Sequence, residues 1–303
     1  MRQHTIAMNM PLGDALMATP AISELIRRAD PAADRFTIAL CWPGGPPWPQ
    51  HWDAFNHFPG AEVRQVDGGA AERLLGLPPG KWCFDDTGNG EILLSIGAAF
   101  DVARTLICPY AWGFAAQLGV PLKSTRYTWG WSDEERRAFA RNDGVERNTV
   151  LIAPVANSCP SRSKPEPTGG MHIMIPWEVW GDVARRLAAE GRLVRVAAWG
   201  EPRHPVFDDK VYWMDKTPLR AVAQVARACR AVLAVDTGIG HVAQAVGAKA
   251  IVSVEGGVPS IFTTLHDTPG RYRRAPRIGP ARDNVDPARM ADAIWGNYLQ
   301  VTA

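Results

Sequence analysis

The chain has few cysteines, and nothing in their spacing ties them together. The 303 residues include five, at positions Cys41, Cys83, Cys108, Cys159 and Cys229. Their number is odd, they stand far apart, and none forms a C-x-x-C pair. This pattern argues against a disulfide framework or a structural zinc site, and it is typical of a protein from a reducing cytoplasm.

Long apolar runs are also missing. No segment reaches the ~18 consecutive apolar residues that a membrane span requires. The amino terminus, Met1 to His4 followed by a short apolar run, lacks the h-region of a signal peptide. We therefore expect a cytoplasmic protein.

Two common nucleotide-binding motifs are absent as well. The first predicted strand is not followed by G-x-G-x-x-G, which disfavours a nicotinamide-dependent dehydrogenase, and no G-x-x-x-x-G-K-[ST] occurs. The net charge of +2 is too small to indicate nucleic acid as a partner.

The remaining composition is that of a globular protein with two domains. Apolar residues make up 46% and charged residues 21%, enough to bury two cores in a chain of this length. There are also 25 prolines and 12 tryptophans. The prolines predict many ordered loops, and the tryptophans either fill cores or stack on ligands.

Strands and helices alternate in the first half. We predict a strand over 4–10, a helix after Asp14, a strand over 36–41, and helices over 92–100 and 111–118. The first helix either begins near Asp14 and kinks at Pro20, or begins with Thr19 as its N-cap. Residues 42–59 are predicted to form a long ordered loop, and 132–148 a charged surface helix and connector.

The second half repeats the alternation more regularly. We predict strands over 149–154, 193–199, 231–235 and 250–254, helices over 177–190, 219–229 and 240–246, a polar loop over 160–176, and a closing helix over 287–299. Such an alternation predicts an α/β fold with doubly wound parallel sheets.

The strongest candidate for a binding motif is the stretch from Asp236 to His241. It follows an apolar strand and opens a helix, where free N–H groups and the helix dipole favour a bound phosphate. Gly238 and Gly240 would let a ligand approach the backbone, and Thr237 and His241 would add donors. The alternative, held at even weight, is a plain turn capped by Asp236.

The second candidate is Gly13-Asp14 at the first strand-to-helix turn. Ligands of open α/β sheets bind beyond the carboxyl ends of the strands, so a carboxylate here would face the ligand. Taken alone, the turn is better explained by Asp14 capping a helix.

Both motifs resemble those of one family. Residues 13–21, GDALMATPA, are similar to the opening motif of glycosyltransferase family nine, the lipopolysaccharide heptosyltransferases, and residues 236–247, DTGIGHVAQAVG, resemble its donor-binding motif. Residues 216–231 also resemble the stretch that precedes that motif. The two motifs occur in the expected order, about one domain apart.

The resemblance implies the GT-B fold, in which two Rossmann-like domains face a cleft. We assign 1–146 to the acceptor-side domain, 147–285 to the nucleotide-sugar domain, and 286–303 to a helix that returns to the first domain. Asp14 would be the general base. Gly13, Asp236, Thr237, Gly238, Gly240 and His241 would contact the donor.

The family also has a phosphate-binding lysine early in the second domain. Lys164 is the nearest match. Arg162 is the alternative, because residues 165–176 separate Lys164 from Trp177 as an inserted loop would. The stretch 255–259, EGGVP, also departs from the family ending, so the sugar or the base can differ.

The implied reaction is inverting transfer of a heptose-like sugar from a nucleotide-sugar, typically ADP-heptose, to a glycan or glycolipid acceptor. No cofactor and no metal is expected, since the chain lacks the Asp-x-Asp triplet of metal-dependent glycosyltransferases. The alternatives are a protein, natural-product or modified-DNA acceptor, a nucleotide-sugar epimerase, and a non-catalytic nucleotide-sugar binder.

Two further features are open to more than one interpretation. Five arginines lie close together, Arg271, Arg273, Arg274, Arg277 and Arg282, and they would meet a phosphorylated acceptor or the anionic inner membrane face, or form a solvated loop. Trp42, Trp48 and Trp52 lie in the long first-domain loop, where they either stack on acceptor sugars or pack internally.

Overall fold

A computed structural model describes residues 1–42, 49–141, 146–155, 175–198, 202–235, 238–254, 272–275 and 286–303. Their contacts divide the chain into two compact units. The first is Met1–Arg136, and the second contains the described residues from Arg137 onward. The division falls before the boundary that we placed at residue 146.

The first unit is built on a five-stranded sheet. Its strands are β1 (Arg2–Met8), β2 (Asp34–Cys41), β3 (Ala61–Val66), β4 (Cys83–Phe84) and β5 (Gly90–Leu93). Its helices are α1 (Leu12–Arg28), α2 (Pro49–Phe55), α3 (Gly68–Leu75), α4 (Ile96–Leu106) and α5 (Tyr110–Leu118), and α6 (Asp133–Arg141) crosses the division. The strand order is β3-β2-β1-β5-β4, parallel except for β4.

The second unit is built on a six-stranded parallel sheet. Its strands are β6 (Thr149–Ala153), β7 (Leu193–Val196), β8 (Tyr212–Trp213), β9 (Ala231–Val235), β10 (Ile251–Val254) and β11 (Tyr272–Ala275). Its helices are α7 (Trp177–Ala189), α8 (Leu219–Ala228), α9 (Gly238–Ala245) and α10 (Pro287–Thr302). The order β11-β10-β9-β6-β7-β8 confirms the predicted parallel α/β architecture.

Helix α1 runs without a break through Pro20, so the first of our two alternatives for its start is confirmed. Proline has no N–H to give to the carbonyl of Leu16, four residues earlier. The Thr19 hydroxyl donates to that carbonyl instead, at 2.6 Å, and in turn accepts from the Thr128 N–H at 2.9 Å. The buried carbonyl therefore keeps a partner, and the helix can continue.

The first half departs from the sequence prediction in three places. Residues 92–100, predicted as one helix, contain the end of β5 and the start of α4, which Ser95 caps by accepting from the Ala98 N–H at 3.2 Å. The predicted loop over 42–59 contains helix α2. The elements β3, α3 and β4 were not predicted, because their strands are short or half exposed and give little periodicity.

Helix α10 belongs to the second unit, and its expected return to the first unit stays a prediction. Four of its side chains, Met290, Ala291, Ile294 and Tyr298, are fully buried in the core that also contains α7, β9 and β10. Arg186 of α7 further pairs with Asp292 at 2.8 Å. The apolar face of α10 is thus satisfied within its own unit.

Helix α2 is joined to the β1–α1 turn through a buried histidine. His51 is 6% exposed, and its Nε2 lies 2.8 Å from the carbonyl oxygen of Met10. A carbonyl only accepts, so Nε2 carries the proton and donates it. Burial lowers the pKa of His51 below its ordinary value of 6.5, outweighing the hydrogen bond to Met10, which raises it.

Helices α4 and α5 approach each other closely at Gly113. A Cβ added there would clash with the Ala99 carbonyl and lie 2.5 Å from the Ala99 Cα, which is backbone that cannot move aside. We expect Gly113→Ala to lower the stability of the first unit by about 1–3 kcal/mol, as overpacking does. The measurement is the midpoint of urea unfolding.

Gly97→Ala is the matched control, because Gly97 is exposed on α4 and its added Cβ would only reach the Ser95 Oγ at 3.7 Å. It should be neutral or stabilising, since alanine is the better helix former. Equal effects of the two variants would show that the α4–α5 contact is not tight at Gly113.

We expect His51→Phe to destabilise the first unit, because the buried Met10 carbonyl loses its donor while a ring of similar size fills the space. An unsatisfied buried polar group costs about 1–3 kcal/mol. His57→Phe, at an exposed position just after α2, is the control and should change the urea midpoint little.

The same variant tests the charge state of His51. Below pH 6.5 the unfolded chain binds a proton at this histidine that the folded chain does not, so the wild type loses stability as the pH falls. Phenylalanine does not titrate, so the midpoints of wild type and variant should lie closer together at about pH 5.5 than at about pH 7.5. A gap that widens at low pH would contradict a neutral, buried His51.

Candidate functional site

Both sequence motifs lie where the order of strands reverses. In the first sheet, β2 and β3 lie on one side of β1, and β5 lies on the other. In the second sheet, β7 and β8 lie on one side of β6, and β9 begins the other side. Ligands of open α/β sheets bind outside the carboxyl ends of strands at such reversals. The β1–α1 and β9–α9 turns each follow a strand that borders one.

Asp14 is the third residue of α1, and the alternative that it is the N-cap is wrong. The N-cap is Pro11, which makes no side-chain capping bond. The Asp14 side chain is half-buried, as is Gly13 before it. An acidic group in the first turn is favoured by the helix dipole, and its partial exposure leaves it accessible to a ligand.

A small pocket adjoins this turn at the carboxyl ends of β1 and β2. It is lined by Met8, Asn9, Met10, Leu40, Cys41, Trp42 and His51. Of the three tryptophans in the predicted loop, Trp42 therefore lines a cavity, Trp52 is 37% exposed on α2, and Trp48 lies outside the described residues. An indole, an imidazole and backbone groups line this pocket, which has room for about one water molecule.

His51 and Cys41 line this pocket, and neither was among the residues predicted from the sequence. Burial raises the pKa of the Cys41 thiol to about 11, so this cysteine lines the pocket as a thiol and not as a nucleophilic thiolate. A signal for His51 was available, because His51, Ala54 and Phe55 have the i, i+3, i+4 spacing of one helix face, and all three are buried.

In the second unit, α9 begins at Gly238, three residues after β9 ends at Val235. Gly238 is half-buried. Its N–H is one of the first-turn groups that have no partner within the helix and that favour an anion. The described residues therefore place the start of a helix just beyond the carboxyl end of a strand, which is a context in which phosphates bind.

Gly240 and His241 are both buried, in the first turn of α9. A Cβ added at Gly240 would lie 3.6 Å from the Val235 carbonyl oxygen and 3.9 Å from the Ala234 Cβ, so that side of Gly240 faces β9. His241 is 7% exposed, which leaves only a small part of its ring open to solvent. Gly240 thus faces β9 at ordinary contact distance, and α9 begins near the carboxyl end of that strand.

Several predicted residues cannot be placed. Arg162, Lys164, Asp236 and Thr237 lie outside the described residues, as do Arg271, Arg277 and Arg282 of the basic segment. Arg273 and Arg274 belong to strand β11, so at least this part of the segment is not a loop. Within the described ranges, no group of three or more His, Cys, Asp or Glu side chains is arranged to hold a metal ion.

One family matches part of the chain in sequence. Residues 176–254, from the start of α7 to the end of β10, match glycosyltransferase family 9 (heptosyltransferase). No curated protein matches the sequence significantly.

Solved structures match over nearly the whole chain. A family 9 glycosyltransferase from Veillonella parvula is 14% identical, with a TM-score of 0.66 over 98% of this chain and 97% of that one. The Escherichia coli ADP-heptose lipopolysaccharide heptosyltransferase II is 15% identical, with a TM-score of 0.60 over the full length of both chains.

A third similar structure contains a metal. It is the dodecameric, iron-containing glycosyltransferase TibC from enterotoxigenic Escherichia coli, 14% identical, with a TM-score of 0.58 over 99% of this chain and 74% of that one. Identities this low establish the fold alone. The chain therefore has the GT-B fold of the heptosyltransferases, and its segment from α7 to β10 resembles glycosyltransferase family 9 in sequence as well.

Proposed function

We propose that this protein is an inverting glycosyltransferase, which moves a heptose-like sugar from a nucleotide-sugar to an acceptor hydroxyl. The observation that carries the proposal is the family 9 match over 176–254, because that segment includes the β9–α9 turn. The sequence likeness and the expected phosphate site thus coincide in one place.

The donor's diphosphate would bind at the start of α9. Backbone N–H groups from Gly238 onward would donate to its oxygens, with Asp236, Thr237, Gly240 and His241 completing the turn. Lys164 or Arg162 would add a positive charge, and Gly13 would border the donor from the first unit. ADP-heptose is the first donor to test, since it is named for heptosyltransferase II, a protein of the same fold.

Asp14 would act as the general base. The acceptor oxygen attacks the anomeric carbon, the bond from that carbon to the diphosphate oxygen breaks, and the acceptor proton passes to the Asp14 carboxylate. The leaving diphosphate takes the electron pair, and its growing charge is stabilised by the start of α9 and by the cation. The protein groups suffice for this chemistry, so we propose that no metal takes part.

The acceptor would be a glycan or a glycolipid, by analogy with the lipopolysaccharide named for heptosyltransferase II. A lipid-linked acceptor would bring the protein to the inner membrane face as a peripheral protein.

The donor proposal is tested by calorimetry of the wild type with ADP-, GDP-, UDP- and dTDP-linked sugars, each with and without excess chelator. We expect one nucleotide class to bind, and transfer of its sugar to persist in chelator. Activity that is lost in chelator and restored by added iron, magnesium or manganese would refute metal independence, an outcome worth testing because TibC contains iron. Binding of no nucleotide-sugar would refute the proposed function.

Asp14→Asn tests the base directly. Asparagine has nearly the same volume but does not accept the proton, so we expect donor affinity to stay near the wild-type value and kcat to fall by about 10²–10⁴-fold. Since Pro11 is the N-cap, loss of a cap cannot cause such a fall. Asp101→Asn, on the exposed face of α4, is the control and should leave kcat unchanged.

Two results would overturn the role of Asp14. Near-normal turnover would make it structural. An equal loss of donor affinity and turnover would make it a binding residue.

A further inference from the structure

Helix α2 is hydrogen-bonded to two other parts of the first unit. The His51 Nε2 donates to the Met10 carbonyl, just before α1 begins, at 2.8 Å. Near the end of α2, the Ala54 carbonyl accepts from the Gly130 N–H, also at 2.8 Å. A Cβ added at Gly130 would lie only 3.0 Å from the Ala54 oxygen, so a larger residue would crowd this contact.

The segment that contacts the end of α2 also contacts α1. Thr128, two residues before Gly130, donates its N–H to the Thr19 hydroxyl at 2.9 Å. The Thr128 hydroxyl lies 3.0 Å from the Ser23 Oγ. Because residues 129–131 are buried, this segment is part of the interior, and it links the middle of α1 to α2.

These hydrogen bonds form a closed loop of contacts. From Thr19 on α1 the loop passes through residues 128–130 to α2, and from His51 on α2 it returns to Met10. Asp14 lies on the stretch of chain between Met10 and Thr19, the two points at which this loop holds the chain. The bond from His51 to Met10 is the one nearer to Asp14 in sequence.

The Met10 carbonyl is placed where its hydrogen bond controls the entry into α1. Met10 is 4% exposed, and the next carbonyl, that of Pro11, accepts from the Ala15 N–H at 2.9 Å as α1 begins. A buried carbonyl that loses its donor is driven to turn towards another one. Such a turn of the peptide unit would change the direction in which the chain enters α1, four residues before Asp14.

We propose that His51 is a positioning residue for the general base, because its bond to the Met10 carbonyl fixes the place of the Asp14 carboxylate. The inference rests on the proposed function, in which Asp14 is that base. His51 itself neither touches the substrate nor exchanges a proton in the reaction. A reacting group that is displaced by about 1 Å loses about 10²-fold in rate, so the effect of His51 should appear in kcat.

Two replacements of His51 test this role. His51→Phe removes the donor, and we expect kcat to fall by roughly 10–10²-fold while donor affinity, measured by calorimetry, stays near the wild-type value. His51→Gln keeps an N–H group at a similar distance from the backbone, so it should restore most of the lost turnover. Equal turnover of the Phe and Gln variants would contradict a role for the hydrogen bond.

Gly113→Ala is the matched control for stability. It is expected to destabilise the same unit to a similar degree, but its added methyl faces Ala99 on α4. At a temperature where all variants are folded, its kcat should equal that of the wild type. A fall in kcat as large as that of His51→Phe would show that any loss of stability in this unit lowers turnover, and would overturn the inference.

A double-mutant cycle shows whether His51 acts through the base. If it does, His51→Phe should lower kcat little further in a chain that already carries Asp14→Asn, because there is no carboxylate left to misplace. If the two changes lower kcat independently, their factors multiply. That result would overturn the inference, since His51 would then affect turnover by another route.

Amide hydrogen exchange tests the contact without any transfer reaction. In His51→Phe the amides of Ala15 and Leu16 should exchange faster than in the wild type, and in His51→Gln they should exchange at about the wild-type rate. Gly113→Ala shows how much of the change comes from lower stability alone. Unchanged exchange in His51→Phe would overturn the inference whatever the activity.

Failure of the proposed function gives a different pattern. Normal turnover of Asp14→Asn would refute the base, and this inference with it. Reduced turnover of Asp14→Asn together with normal turnover of His51→Phe would overturn this inference alone and leave the proposed function intact.

Discussion

Parallel strands can be joined only by crossovers, and the position of every candidate group follows from this constraint. A crossover brings the chain back to the end of the sheet where the previous strand began, so every strand-to-helix connection lies at the carboxyl ends of the strands. Where the strand order reverses, at β1/β5 and at β6/β9, neighbouring crossovers run in opposite directions and leave a crevice at those carboxyl ends. Helices α1 and α9 both begin there. In the proposed function, Asp14 in the first turn of α1 takes a proton, and the first N–H groups of α9 bind an anion.

The β1–α1 turn needs support that regular secondary structure does not supply. The Met10 carbonyl lies between the end of β1 and the start of α1, and its donor is a side chain and not the backbone of either element. His51 donates to the Met10 carbonyl before Asp14, and Thr19 donates to the Leu16 carbonyl that Pro20 leaves without a donor. Two side chains from different elements thus hold the backbone on both sides of the proposed base. A group that must meet a substrate at a fixed distance requires such support.

Most of the second unit could be predicted from its sequence, and much less of the first. Strand β9 was predicted at its observed bounds, because an all-apolar run between a helix and a turn has few other interpretations. In the first unit, no residue of β3 is fully buried, and β4 has only two residues, so neither strand gives a strong hydrophobic signal. The apolar residues 92–94 suited a helix as well as a strand, and only the Ser95 cap separates β5 from α4. For the site, the turns could be predicted, but His51 could not be linked to Met10 without tertiary structure.

The likeness in sequence is confined to 176–254, although the likeness in fold covers 98% of the chain. A fold of this kind requires only buried strands, amphipathic helices and suitable turns, and many different sequences meet these requirements. We therefore expect similar residues where a chain must bind a particular ligand. In the proposed function that ligand is the nucleotide-sugar at α9. The family match leaves out the first unit, to which the proposed function assigns the acceptor.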